Sequence, residues 1–478
     1  MSTAPVIAAL KEAFPADQLH LQGTEEFDKL NGSYLSALEN DITPAAIFLP
    51  KTTNDVSTFL VTIKPFAVSG DVAFAIRGAG QQPLPGCANI EGGVTVDLCL
   101  LTGIDLNLNT GMVSIAAGER WGAVYEKLHD HGLAVTGSRS AKGGIGGLAL
   151  SGGLSFFSTR EGLICDNVMR YEVVLASGEV VECGTGINQD LWRALRGGGN
   201  NFGIVTRYHM RTFKQGPFWG GSVFYQPDNF LEQINALVQH LQGSNEETHI
   251  MISLFFAAQF RKPMALNQLY YTREVEKPFV LDTFTEIPSE MKQLNSMRMT
   301  TLKDAAAEQA AMAMDGQRCA YMNTMVKADA ATLKTAEKAF HRTHELVKDV
   351  EDVVFSLTFQ PHPVSLLQWC ILNGGNVTGL SPTTGPLVSI LVLMNWKNKS
   401  DDSKVLSAGR TLLSTVETDA AKRRQTVPYK YMNYAFDDQD PIGSYGQGNK
   451  KRLQDASRKY DPDGVFQKGF PGGFKLFA

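Results

Sequence analysis

Residues 188–206, NQDLWRALRGGGNNFGIVT, constrain the fold more than any other stretch, because a short helix, a glycine-rich loop and a β-branched strand follow one another without a break. Gly197, Gly198 and Gly199 remove the Cβ atoms that would hold a ligand away from the backbone, and they permit positive φ. Successive N–H groups in such a loop can converge on an anion. A lone triple glycine reads first as a flexible surface loop. Here two more glycine-dense segments lie upstream, RGAGQQPLPG at 77–86 and a run from Gly143 to Gly153. Separated by strand-rich sequence of one domain, the three can line a single elongated groove.

Around these loops the pattern predicts short elements: a strand at 47–50, a helix at 54–61, strands at 73–76, 94–98 and 112–116, and a helix through Trp121, Val124, Tyr125 and Leu128 closed by Gly132. Ser177-Gly178 between 168–176 and 179–183 predicts a hairpin. Beyond residue 213 the texture changes. Strands are expected at 221–225, 250–257, 268–272, 353–360 and 387–395, with helices at 228–241, 334–344 and 404–418, which is an antiparallel sheet with helices on one side. A final helix is expected at 448–460, stopped by Asp461-Pro462. The fold class is α+β in two domains, and the cleft between them is the default small-ligand site.

At 478 residues a sizeable core is assured. The net charge of −5, with both signs scattered, gives no basic footprint for nucleic acid and no polybasic membrane patch. The N-terminal segment lacks a basic region and its apolar run is cut by Lys11 and Glu12, so an amphipathic helix is expected there and not a secretory signal. With no long apolar run either, a cytoplasmic location is expected. Six widely spaced cysteines form no CxxC pair and read as reduced structural thiols. His129 and His131 point to different faces, so no metal site is expected.

RGAGQQP follows a strand and can turn several N–H groups to one side, a nest for a diphosphate. GIGGLA at 144–149 matches the nominal dinucleotide fingerprint G-x-G-x-x-A, but the further glycines at 152 and 153 are expected to break the helix that fingerprint requires, which argues against an ordinary Rossmann site. An extended FAD suits the groove better than a nicotinamide cofactor, since a buried isoalloxazine needs close backbone approach along one edge.

The ordered set RGAGQ, AAGERWGAVYEKL, GGIGGLALSGGLSFFSTREGLICDNV and NQDLWRALRGGGNNFGIVT resembles the FAD-binding half of the berberine-bridge-enzyme-like, or vanillyl-alcohol-oxidase-type (PCMH-type), FAD-linked oxidases. FQPHP at 359–363, GGNVTGL at 374–380, YMNY at 431–434 and KYDPDGVF at 459–466 are similar to that family's later motifs. The resemblance implies an FAD domain from residues 1–213, a substrate-binding α+β domain from 214–424 and a segment, 425–478, returning to the FAD domain. It assigns Arg77, Gly78, Ala79, Gly80, Gln81 and Gln82 to the pyrophosphate and ring, and Gly118 to the nucleotide. Ser138, Arg139, Gly143 and Gly146 fall at the middle of the cofactor, Gly203, Ile204 and Val205 near the flavin, and Asn433 close to the ring. Many relatives carry a flavin-linking His and some a Cys at positions that here read Gln81 and Ser140, so FAD is expected without a covalent bond and no replacement link through Cys165 is expected.

The resemblance further implies an oxidase acting on a small molecule, such as a specialised metabolite, by hydride transfer to flavin N5 and reoxidation by O2. Tyr431 or Tyr434 is expected as the acid or base, the alternative being that both pack as interface aromatics. Gln360 is expected to orient a polar substrate group. His362 reads as a loop residue between two prolines, and Phe255 and Trp369 as walls of the pocket or as core. A second reading keeps the flavin as a structural or electrostatic element in a non-redox cyclisation or rearrangement; a third is ligand binding without turnover. The substrate and the oligomeric state are not legible.

Overall fold

The structure is a computed structural model that describes residues 3–243 and 245–477. The N-terminal helix forms over Ala4–Ala13, and Met1 and Ser2 lie outside the described residues. A four-stranded sheet holds Leu19–Leu21, Ala46–Phe48, Val94–Asp97 and Phe74–Arg77, the last three joined by parallel pairing. A five-stranded antiparallel sheet follows, with Ile204–Arg211 at its centre between Met112–Ala116 and Val168–Val174. The expected Ser177-Gly178 hairpin joins Val168–Val174 to Val180–Gly184.

The largest sheet has eight antiparallel strands, with Pro263–Tyr271, Thr248–Ala257, Val354–His362, Leu387–Trp396 and Arg318–Lys327 adjacent in that order. Side chains alternate across a strand. Ile250, Ile252, Leu254 and Phe256 therefore share one face with Phe355, Leu357 and Phe359, in a core completed by the helices Phe230–His240, Ala330–Thr343 and Asp402–Arg423. Met251, Ser253 and Phe255 face the other way with Ser356, Thr358 and Gln360. A second core unites the two N-terminal sheets with tail residues, including Tyr429, Tyr431, Leu453 and Phe466.

Several elements differ from expectation. The helix at 54–61 runs over Thr53–Ser69, started by a Thr52–Asp55 capping box and stopped by Gly70 at φ 82°. Pro65 within it costs one bond to the carbonyl of Val61, which lies on the exposed face where water can take the vacated acceptor. A helix does form in the GIGGLAL segment, over Ile145–Leu150, and the glycine break falls only after it, at Gly152 and Gly153 with φ 113° and 83°. Gly144 enters it from an antiparallel bridge to Arg120 and not from a parallel strand, so the Rossmann context is absent. His362 is not a loop residue: Pro361 and His362 both sit in the Val354–His362 strand, and His362 is buried. The strand Arg318–Lys327 and the helix Leu302–Ala311 have no counterpart in the sequence pattern.

Candidate functional site

The three glycine segments meet. Gly197 and Gly199 both donate their N–H to the carbonyl of Leu150, at 3.0 Å each, which ties the third segment to the second. A Cβ built on Gly144 would stand 2.5 Å from the Cβ of Ala79, so the first segment packs against the second at a closeness that only glycine permits. Arg196, fully buried, anchors the triple glycine: its guanidinium donates to the carbonyls of Cys165, Asp166, Asn373 and Gly375. The tail closes the set, since Asn433 Oδ1 accepts from Gly153 N–H at 3.2 Å.

Between these loops and the polar face of the large sheet lies a cleft of about 860 Å³. Gly78, Ala79, Gly80, Gln81, Gln82, Ser138, Arg139, Gly143, Gly146, Gly203, Ile204, Val205, Gln360, Tyr431, Asn433 and Tyr434 all line it. Arg77 and Gly118 do not. Arg77 turns its guanidinium inward to the carbonyls of Leu30 and Ser33, at 2.8 and 3.0 Å, lies over the Tyr34 ring and faces Asp97 at 3.4 Å. It braces the loop's base. Gly118 is a packing glycine, for a Cβ there would stand 2.2 Å from the Leu98 carbonyl.

The loops have the features a dinucleotide requires. Among the described residues, the N–H groups of Ala79, Gly80, Gln81 and Gln82 donate to no protein acceptor, which leaves four consecutive donors at the cleft for a diphosphate. Gly147 also lines the cleft, and a Cβ there would meet no atom within 4 Å, so the open space beside it is the kind a flat ring fills.

Tyr434 stands at the junction of loops, tail and sheet. Its phenolic oxygen accepts from the Arg139 guanidinium and lies 3.3 Å from Gln360 Nε2 and 3.4 Å from Gln360 Oε1. Arg139 Nη1 also donates to Gln360 Oε1 at 3.1 Å. Tyr431 packs edge-on to Tyr434 with ring centres 4.7 Å apart, and burial, reinforced by Tyr434, pushes its phenol well above the usual range. The backbone of Tyr431 is pinned by the side chain of Asn323, which accepts from its N–H at 2.8 Å and donates to its carbonyl at 3.1 Å. Two histidines lie close by, and burial together with the Arg139 charge holds both neutral, His249 well below the normal value and His362 at about 4.

Sequence reasoning missed Tyr321, whose ring meets Tyr434 edge-on at 5.8 Å, and the hydroxyl pair Ser253–Thr358, 2.8 Å apart on adjacent strands. Phe255 lines the cleft. Trp369 does not; its indole N–H donates to the Arg160 carbonyl at 2.8 Å, away from the lining. Gln81 and Ser140 both border the cleft, whereas Cys165 is buried beside Asp166 and outside the lining. Cys87 does border it, its thiol directed at Glu39 Oε1 and pushed up by burial. Among the described residues no group of three or more His, Cys, Asp or Glu is placed to hold a metal ion, and no helix is long and apolar enough to cross a membrane.

The same architecture recurs in solved structures of other proteins. BBE-like 1 of Physcomitrella patens superposes with a TM-score of 0.81 at 18% identity, covering 98% of this chain and 99% of its own. The 6-hydroxy-D-nicotine oxidase of Arthrobacter nicotinovorans gives 0.75 at 19%, covering 94% and 96%. Residues 44–184 match the family model described as an FAD binding domain. In sequence the chain is 35% identical over 464 residues to an FAD-dependent monooxygenase of Cochliobolus heterostrophus, covering 93% of this chain and 88% of that one. To the bifunctional solanapyrone synthase of Alternaria solani it is 32% identical over 464 residues, covering 97% and 86%. The chain therefore belongs to the family of these FAD-dependent relatives, an FAD-linked oxidoreductase family, and it shares its fold with the BBE-like structure.

Proposed function

We propose that the protein oxidises a small organic substrate in the cleft between the glycine loops and the large sheet, with FAD held without a covalent bond and O2 as electron acceptor. When bound, FAD supplies the two-electron chemistry that side chains lack. The observation that carries this reading is the cleft itself, where unpaired backbone donors and open glycines face a wall bearing Tyr434, Gln360 and a hydroxyl pair.

The residues take the following roles. Ala79 to Gln82 receive the diphosphate, and Asn433 holds the loop at Gly153 in register with the tail. The described lining contains no carboxylate, lysine or histidine, so a tyrosine oxygen, acting as the phenolate, takes the substrate proton. Tyr434 is that group, because Arg139 and Gln360 orient its oxygen. Tyr431 stays a neutral phenol and supports it edge-on. Neither Gln81 nor Ser140 can form a covalent link to the flavin, so retention of FAD rests on the loops.

Relatives carry the name FAD-dependent monooxygenase, so oxidation and oxygen insertion must be told apart. Substrate added without air should bleach the flavin, and air should restore its colour with one hydrogen peroxide per product and no 18O from 18O2 in the product. Incorporated 18O would make the protein a monooxygenase. Turnover without bleaching or oxygen use would favour a non-redox cyclisation, a reading supported by a fixed guanidinium that can stabilise charge without any electron transfer.

A further inference from the structure

Arg139 is the only charged residue among the described lining of the cleft. No carboxylate pairs with it; its acceptors are the Tyr434 oxygen, Gln360 Oε1 and the thioether of Met251. One Nη2 hydrogen and Nε–H donate to no described protein acceptor. Arg139 is partly buried, and its unused donors with no paired carboxylate leave it free to receive an anion. His249 and His362, which could compete as cations, are held neutral.

The wall leading away from Arg139 grades in polarity. Along the Thr248–Ala257 strand the cleft face reads Met251, then Ser253 with its partner Thr358, then Phe255. At a rise of about 3.3 Å per residue, Met251 and Phe255 are about 13 Å apart. Phe255 meets Phe224 and Phe260 edge-on at 6.2 and 6.1 Å, making the far end aromatic and apolar.

Building on the flavoenzyme reading, we propose that the substrate is an elongated molecule with an acidic oxygen at one end, a carboxylate or an enolate, and an apolar tail of about ten carbons at the other. Arg139 binds the acidic oxygen beside Tyr434, the hydroxyl pair accompanies the middle, and Phe255 receives the tail. Arg139 is thus a specificity-determining residue and not a cofactor ligand. A guanidinium on a carboxylate or enolate forms charge-assisted bonds about twice as strong as neutral ones.

The test titrates FAD-loaded full-length protein calorimetrically with decanoate, decanol and acetate. Decanoate should bind at least ~10-fold more tightly than decanol, and acetate more weakly than either. Arg139→Gln should abolish the preference for acid over alcohol at unchanged flavin content, Arg139→Lys should keep part of it, and Phe255→Ala should weaken decanoate and decanol alike. Equal binding of acid and alcohol by the unaltered protein, an undiminished preference in Arg139→Gln, or loss of flavin from both Arg139 variants would each overturn the proposal. Protein that takes up no FAD would instead fail the flavoenzyme reading, and its absorbance spectrum shows this before any titration.

Discussion

At the scale of the residue, the cleft turns on Tyr434, the one phenolic oxygen that meets both Arg139 and Gln360. Tyr434→Phe keeps the ring and removes the proton acceptor. It should lower kcat by roughly 10²- to 10⁴-fold, the usual worth of a positioned acid or base, with little change in flavin content. A loss under about tenfold in steady-state kinetics would leave Tyr434 a packing aromatic. His362 provides a residue-scale pH effect. Its folded pKa of about 4 lies below the ordinary value of 6.5, so between those limits the unfolded chain binds the extra proton and stability falls as pH falls. Each pH unit in that window costs about 1.4 kcal/mol, and His362→Gln should flatten the decline in denaturation midpoint measured between pH 6.5 and 4.5. Tyr431, Tyr434 and Gln360 could be picked out from sequence because they sit in short distinctive motifs. The direction of the Arg77 side chain could not, since it is set by the carbonyls of Leu30 and Ser33, more than forty residues away.

Among elements, the glycine loops divide into two kinds that sequence alone does not separate. Gly147 opens onto the cleft, whereas Gly118 is wedged against the Leu98 carbonyl. Gly147→Val should leave the fold intact and weaken FAD binding at least ~10-fold, read by flavin titration of the apoprotein. Gly118→Ala should lower the melting temperature, because its Cβ forces the backbone apart. The long sheet strands were legible where β-branched and aromatic residues run together, as in residues 250–257. The strand Arg318–Lys327 was not, since RCAYMNTMVK lacks that enrichment and its burial comes from neighbours on both sides. With it went Asn323, which pins Tyr431. Asn323→Leu leaves the N–H and carbonyl of Tyr431 unsatisfied and should cost about 1 to 3 kcal/mol in chemical denaturation, with turnover falling as well.

Over the whole molecule, three segments far apart in sequence become one trough through particular bonds: Arg120 to the carbonyls of Ala79 and Lys142, Gly197 and Gly199 to Leu150, and Asn433 to Gly153. Their glycine content marked the segments as walls of one groove, and the ordered motifs pointed to an FAD-linked oxidoreductase. The shape of the substrate wall stayed hidden, because it arises from register between strands a hundred residues apart, as with Ser253 and Thr358. The central claim is that this trough holds FAD without a covalent bond. The direct measurement is to precipitate FAD-replete protein with acid and record the absorbance of the supernatant and the pellet. Yellow supernatant carrying intact FAD at about one per chain is the expected result; flavin retained in the washed pellet would contradict it.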